Sequence, residues 1–440
     1  MGYFPSKIVP LALIAFSLSI SAAQPLLRPQ GVRDPGVRAG TPSAGGALSG
    51  LTSYEYAFFQ QGLSTFQEVD DVSHGLGPTF NMDSCSGCHA FPAVGGSSPF
   101  LNPQVSVAVK NGATNHVPFF ITSDGPVREA RFKFVPGTSI RDGGVHGLFT
   151  ITGRADAPGC VVQQPNFAAA NAANNLIFRI PTPLFGLGLI ESIPDNVILA
   201  NMAANQGQKN AMGVSGHPNH NGNDGTIARF GWKAQNKSLL LFSGEAYNAE
   251  MGVTNELFPN ERDTTPSCQF NGSPEDYTHM TEAVNYLSQS DIVSFAVFMR
   301  FLQPPAPVTG DSSAVRGRAV FGQIGCALCH TPTLSTGKTA SAALNQKNVN
   351  LYSDLLVHRM GSNLADNIVQ GEAGPDEFRT APLWGLGQRI FFLHDGRSRD
   401  LIDTILAHRS QGSEASNVID SFASLPASAQ QDLLHFLRSL

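Results

Sequence analysis

Two pentapeptides in this sequence carry chemistry that depends on spacing, Cys85-Ser86-Gly87-Cys88-His89 and Cys326-Ala327-Leu328-Cys329-His330. Two thiols flanking two residues can add to the two vinyl groups of a haem, and the adjacent imidazole then reaches the iron as its proximal ligand. The expectation is therefore two covalently bound haem c groups, attached at Cys85/Cys88 and Cys326/Cys329, with His89 and His330 on iron. Three other uses of CxxC compete. A shared four-cysteine zinc site leaves both histidines without a purpose and joins pairs more than half the chain apart. A thioredoxin-like redox motif needs CxxC at a helix start in a strand-helix-strand context, and the preceding residues do not read as a buried strand. A disulfide across two residues closes almost no chain and gives histidine no role.

The elements that must position these motifs repeat. Ahead of the first, Ser53 to Phe66 places Tyr56, Phe59, Leu63 and Phe66 at helical spacing; ahead of the second, residues 312–321 give a similar short signal. In both copies a Gly precedes a Phe by four positions, Gly62 to Phe66 and Gly317 to Phe321, which puts a small and an aromatic residue on one face and supports duplication. Residues 290–302, SDIVSFAVFMRFL, begin with a capping residue, carry a helical apolar face and are stopped by PPAP at 304–307. Residues 428–440 put Leu433, Phe436, Leu437 and Leu440 on one stripe, a closing helix for a second core. Between the copies SVAVKNGA, HVPFFITS and REARFKFV alternate apolar and polar residues around Asn-Gly and Asp-Gly turn signals, so a strand-rich insert is expected over about 103–195.

Composition bounds the rest. At 440 residues two domains are the natural expectation, and 44 Gly with 29 Pro imply much loop. The division read here is a haem domain over 51–307 carrying the insert, then a second, cytochrome c-like haem domain over 308–440. The fold class is mainly α and loop-rich, with a β-containing insert in the first unit. A net charge of -6 without a basic block gives no footprint for nucleic acid. Lys7, the apolar run IVPLALIAFSLSIS and the small residues Ser21, Ala22 and Ala23 read as a secretory signal peptide over 1–23. The run is shorter than the roughly 20 residues a bilayer needs, so no stable membrane span is expected in the mature chain and its place is the periplasm or another exported compartment. Residues 24–50 follow as a linker or extended arm. Cys160 and Cys268 are left over; in an exported protein they most simply pair, with two free buried thiols as the alternative.

Two longer stretches, RFGWKAQNKSLLLFSGEAYNAEMGVTNELFP and FRTAPLWGLGQRIFFLHDGRSRDLIDTILAHRSQGSEA, together with both CxxCH sites, resemble the di-haem oxidoreductases over about residues 51 to 440. That family is similar to bacterial di-haem cytochrome c peroxidases and to the methylamine-utilisation di-haem enzyme. The resemblance implies two-electron reduction of hydrogen peroxide at the first haem, fed through the second by a small donor cytochrome or cupredoxin. Glu250-Met251-Gly252 matches the Glu-Met-Gly context of the family's distal acid, which implies that Glu250 moves a proton between the peroxide oxygens; an arbitrary Glu is more often a solvated surface carboxylate. After His394-Asp395-Gly396-Arg397 the position matching the second haem's distal ligand holds His408, and His330 with His408 would close that iron. Met360 is the second candidate, with His358 behind it. His116, His146, His217 and His220 could each ligate the first iron and none is chosen. Trp232 and Trp384 could relay electrons or simply fill the core. Two readings besides peroxidase follow from the same residues: an electron-transfer cytochrome without turnover, and peroxide-driven oxidation of a protein or organic substrate.

Overall fold

The computed structural model describes residue 2 and residues 27–40, 43–272 and 289–440, so the signal peptide expected at 1–23 lies, Gly2 apart, outside the described residues. Helix Ser53–Phe66 forms where its periodicity placed it. Thr52 opens it reciprocally: its hydroxyl accepts from the Glu55 N–H at 3.2 Å, and the Glu55 carboxylate accepts from the Thr52 N–H at 2.8 Å. Helix Ser312–Gln323 is opened by Asp311, whose carboxylate accepts from the Ser313 N–H at 2.9 Å. Helix Asp291–Phe301 follows Ser290, which stands at the cap position without a capping hydrogen bond. The closing helix Ala427–Ser439 buries Leu433, Phe436 and Leu437 as expected.

These helices cross in two equivalent pairs, Ser53–Phe66 on Asp291–Phe301 and Ser312–Gln323 on Ala427–Ser439. Each crossing needs its glycine. A Cβ at Gly62 would stand 2.4 Å from the Ser294 carbonyl oxygen, and one at Gly317 would stand 1.9 Å from that of Asp432. Four residues on, Phe66 packs on Phe298 with ring centroids 4.8 Å apart, and Phe321 on Phe436 at 5.3 Å. The same two phenylalanines reach His89 at 6.1 Å and His330 at 6.5 Å. The Gly-to-Phe spacing is thus one device used twice: backbone contact sets the crossing, and the aromatic ring backs the imidazole. Gly317→Ala is expected to destabilise the folded protein by about 1–3 kcal/mol, because the helices must part to admit the methyl group; thermal unfolding followed by circular dichroism checks this, and an unchanged midpoint contradicts it.

The stretch over 103–195 is loop with short strands rather than strand-rich. REARFKFV does supply a strand, Glu129–Phe132, in the middle of a three-stranded antiparallel sheet with Val145–His146 and Leu176–Arg179. SVAVKNGA instead makes the helical turn Gln104–Val107 and a 3-10 turn at Lys110–Gly112, and HVPFFITS contains no strand. The reason is visible in the burial: consecutive Val107 and Ala108 are both buried while Val109 is exposed. A strand would send neighbours to opposite faces. Cys160 and Cys268 are bridged, with Cα atoms 4.7 Å apart.

The arm after residue 26 is a strap, not a free linker. Asp34 pairs through both carboxylate oxygens with buried Arg438, at 2.7 and 2.6 Å, and accepts from the Leu401 N–H at 2.8 Å. Farther on, Leu48 donates to the Phe301 carbonyl at 2.7 Å and Gln303 to that of Gly46 at 2.9 Å. Packing crosses the division at 307/308 as well: Leu334, Leu344, Val349, Leu351 and Leu355 belong to the core that contains Phe59 and Phe298. A second core gathers Phe321, Phe422, Leu433 and Phe436 with Val32 of the arm. Among the described residues no helix is long and apolar enough to cross a membrane.

Candidate active site

Each crossing opens onto a cleft. The first is lined by Cys85, Cys88 and His89; the second by Cys326, Cys329 and His330. Because the cysteine pairs face different clefts, they cannot share a zinc ion. Burial pushes the Cys85 and Cys88 thiols well above their ordinary range and Cys326 up to about 12, the opposite of what a reactive CxxC requires. Both imidazoles are prepared in the same way. His89 Nδ1 lies 3.0 Å from the Gly96 carbonyl oxygen and His330 Nδ1 lies 3.0 Å from that of Tyr352, so each Nδ1 carries the proton and each Nε2 keeps its lone pair. Burial holds both down to about 4, hence neutral. Two thiols, one neutral imidazole with a free Nε2 and an apolar cleft are the donor set that fits a haem c.

Glu250 lies in the first cleft with His89 and the cysteine pair. It occupies the last turn of helix Leu239–Met251, which Gly252 ends in the left-handed region at φ 75°. Asn81 pins that turn, donating its backbone N–H to the Glu250 carbonyl at 2.7 Å and its side-chain Nδ2 to the carboxyl at 2.8 Å. Sequence reasoning missed the partner, Glu129. Glu129 Oε1 accepts from Arg131 Nε at 2.5 Å, on the same face of its strand, and the register sets Glu129 opposite Arg179. Although burial acts the other way, Arg131 and Arg179 help hold Glu129 below the ordinary carboxylate value, hence ionised. Glu250 is the reverse. Burial, then the Glu129 charge and a hydrogen bond to it, raise it well above the carboxylate range, so it is a neutral acid donating to its neighbour. The available signal was Glu129 and Arg131 at strand spacing, a pair that also suits a solvated face.

In the second cleft His408, the residue ending helix Leu401–Ala407, faces the space that His330 lines. Its Nδ1 lies 2.7 Å from the Thr404 carbonyl oxygen, which again frees Nε2, and burial lowers it, keeping it neutral. Met360 lines the same cleft. His358 does too, but both its nitrogens are engaged: Nε2 with Asp354 at 2.9 Å and Nδ1 with Glu414 at 2.8 Å. With both ring nitrogens turned to carboxylates, it offers no lone pair to a metal. His394 also lines this cleft and stacks on Phe378 at 4.3 Å.

The four histidines considered for the first iron lie elsewhere. His146 stacks on Phe132 at 4.0 Å and pairs with Asp142, His217 pairs with Glu377 and His220 with Glu372, and neither they nor His116 line the first cleft. The two tryptophans part ways. Trp384 packs in the first core against Gly186. Trp232 lines both clefts, its indole N–H held by the Ile180 carbonyl at 2.9 Å.

A family model described as "Di-haem oxidoreductase, putative peroxidase" matches residues 139–440, a span that includes Glu250 and the second CxxCH and begins after the first. No curated protein matches the chain. Among solved structures, hydrazine synthase of Kuenenia stuttgartiensis is similar at 16% identity over 44% of this chain and 71% of that one, with a TM-score of 0.23. A MauG-like protein associated with microbial copper homeostasis is similar at 15% identity over 52% of this chain and 78% of that one, with a TM-score of 0.28.

Proposed function

Because the chain belongs to the di-haem oxidoreductase family, we propose that it is an exported di-haem c-type peroxidase, reducing hydrogen peroxide with electrons from a small cytochrome or cupredoxin. The observation that carries this reading is the neutral Glu250 beside ionised Glu129, in the cleft where His89 and the first cysteine pair stand. When bound, haem supplies the redox-active iron and the position where peroxide docks.

The chain does the rest. Cys85 and Cys88 would hold one haem through thioethers and Cys326 and Cys329 the other. His89 would support the first iron, in the cleft that Glu250 also lines. Glu250 would give its proton to the oxygen that departs as water, and Glu129, charged and hydrogen-bonded to it, keeps that proton on Glu250 until then. Two protons and two electrons per peroxide then yield two waters. His330 and His408, which line the same cleft, would both hold the second iron, the ligand set of an electron-transfer haem. Trp232 lies between the clefts as the bridging aromatic. The leader at 1–23 and the Cys160–Cys268 bridge both suit an oxidising compartment outside the cytoplasm.

The test is a peroxide titration of the haem-loaded protein, followed by absorption, with and without a reduced donor. Rapid return of the starting spectrum with consumption of donor is expected. A spectrum that peroxide leaves unchanged marks an electron-transfer cytochrome, and a stable oxidised state that donors discharge poorly marks oxidation of another substrate.

A further inference from the structure

Arginine is among the costliest groups to bury without a partner. Five arginines with nearly buried side chains each meet a carboxylate: Arg131 with Glu129, Arg154 with Asp156, Arg179 with Asp366, Arg229 with Asp195 and Arg438 with Asp34. Arg379 and Arg389 depart from that pattern. Both line the second cleft, and their hydrogen bonds go to backbone carbonyls only: Arg379 to Gly231 at 3.0 Å and Thr380 at 3.4 Å, Arg389 to Phe391 at 3.0 Å. Among the described residues Arg389 Nη2 is buried with no hydrogen-bond partner. The cleft's nearby carboxylates are committed, Asp354 and Glu414 both holding His358. Burial draws each guanidinium down to about 10, and at Arg379 the neighbouring Arg389 charge adds to the shift while Asp354 opposes it.

Their position is specific. Arg379 reaches the carbonyl just before Trp232, and the Arg389 guanidinium lies over the Trp232 ring, 5.8 Å from its centroid. We propose that Arg379 and Arg389 form the binding site for the carboxylate side chains of the tetrapyrrole in the second cleft, so that its acidic edge faces Trp232 and the first cleft. The inference rests on the di-haem reading. Planar guanidinium forks match carboxylates in two parallel hydrogen bonds, and two cations meeting two carboxylates leave the cleft wall neutral. The anchor would fix the edge of the second haem that approaches the bridging indole.

A cation at that edge favours the reduced, less positive state of the second haem. Redox titration of the di-haem holoprotein, followed by absorption, is the test, on wild type, Arg389→Gln and Arg389→Lys. Arg389→Gln is expected to shift the reduction equilibrium of one haem about tenfold toward the oxidised form, roughly 59 mV for one electron, while the other haem holds its midpoint. Arg389→Lys, which keeps the charge, is expected to recover most of that shift. Unchanged midpoints in Arg389→Gln, or equal shifts at both haems, overturn the proposal. If Arg389→Gln does not load haem, Arg389→Lys decides: a near-wild-type midpoint supports the site, and loss of haem there too refutes it. Wild-type protein carrying no covalent haem is the separate failure of the di-haem reading.

Discussion

Glu250→Gln is expected to lower peroxide turnover by about 10²- to 10⁴-fold, the range for removing a positioned acid–base group. Both haems should remain in place. Glutamine has the shape of the neutral acid and still donates to Glu129, so the buried hydrogen bond survives while the transferable proton does not. The pH dependence has a definite sign. Glu250 is raised by burial and by the Glu129 charge, so it stays protonated above the ordinary carboxylate range. Activity that needs this proton is present at low pH and falls as pH rises through the Glu250 pKa. Glu129→Gln removes the like charge, lowers that pKa and moves the alkaline limb of kcat/KM to lower pH. An unchanged rate in Glu250→Gln, or an alkaline limb that stays in place in Glu129→Gln, contradicts the assignment.

His408→Ala is expected to change the number of exogenous ligands the oxidised protein accepts, from about one cyanide per chain to about two, because the second iron loses its distal imidazole. Donor-dependent turnover should fall with it, since the second haem is then no longer closed for electron transfer. The structure sharpens this choice of residue. His408 has its Nδ1 tied to Thr404 and its Nε2 free, whereas His358 is held at both nitrogens by Asp354 and Glu414. Cyanide uptake that stays at one equivalent in His408→Ala but doubles in Met360→Ala hands the ligand role to Met360.

What the sequence made legible is what is local. The CxxCH motifs and the two Gly-to-Phe spacings lie within a few residues, and each maps onto one cleft and one helix crossing. Glu250 was found through its Glu-Met-Gly context alone; nothing in its own helix says that it is buried. Glu129 stayed hidden because its burial depends on a register that sets Glu129 opposite Arg179, and on a helix end more than a hundred residues downstream. The same limit explains the arm, whose Asp34 finds its cation at Arg438, near the far end of the chain. SVAVKNGA misled for another reason: alternation in the sequence is evidence for a strand only when one face is buried, and here neighbouring Val107 and Ala108 are both inside. Arg379 and Arg389 look like ordinary surface cations until the missing carboxylates are noticed.

The central claim is two tetrapyrroles joined to this chain by thioethers, and intact mass measures it directly. Protein made in a host competent for cytochrome maturation should weigh as the mature polypeptide plus two haems under denaturing conditions, with Cys85, Cys88, Cys326 and Cys329 unreactive toward thiol reagents. A mass equal to the polypeptide alone, with four titratable thiols, contradicts the account from its first step.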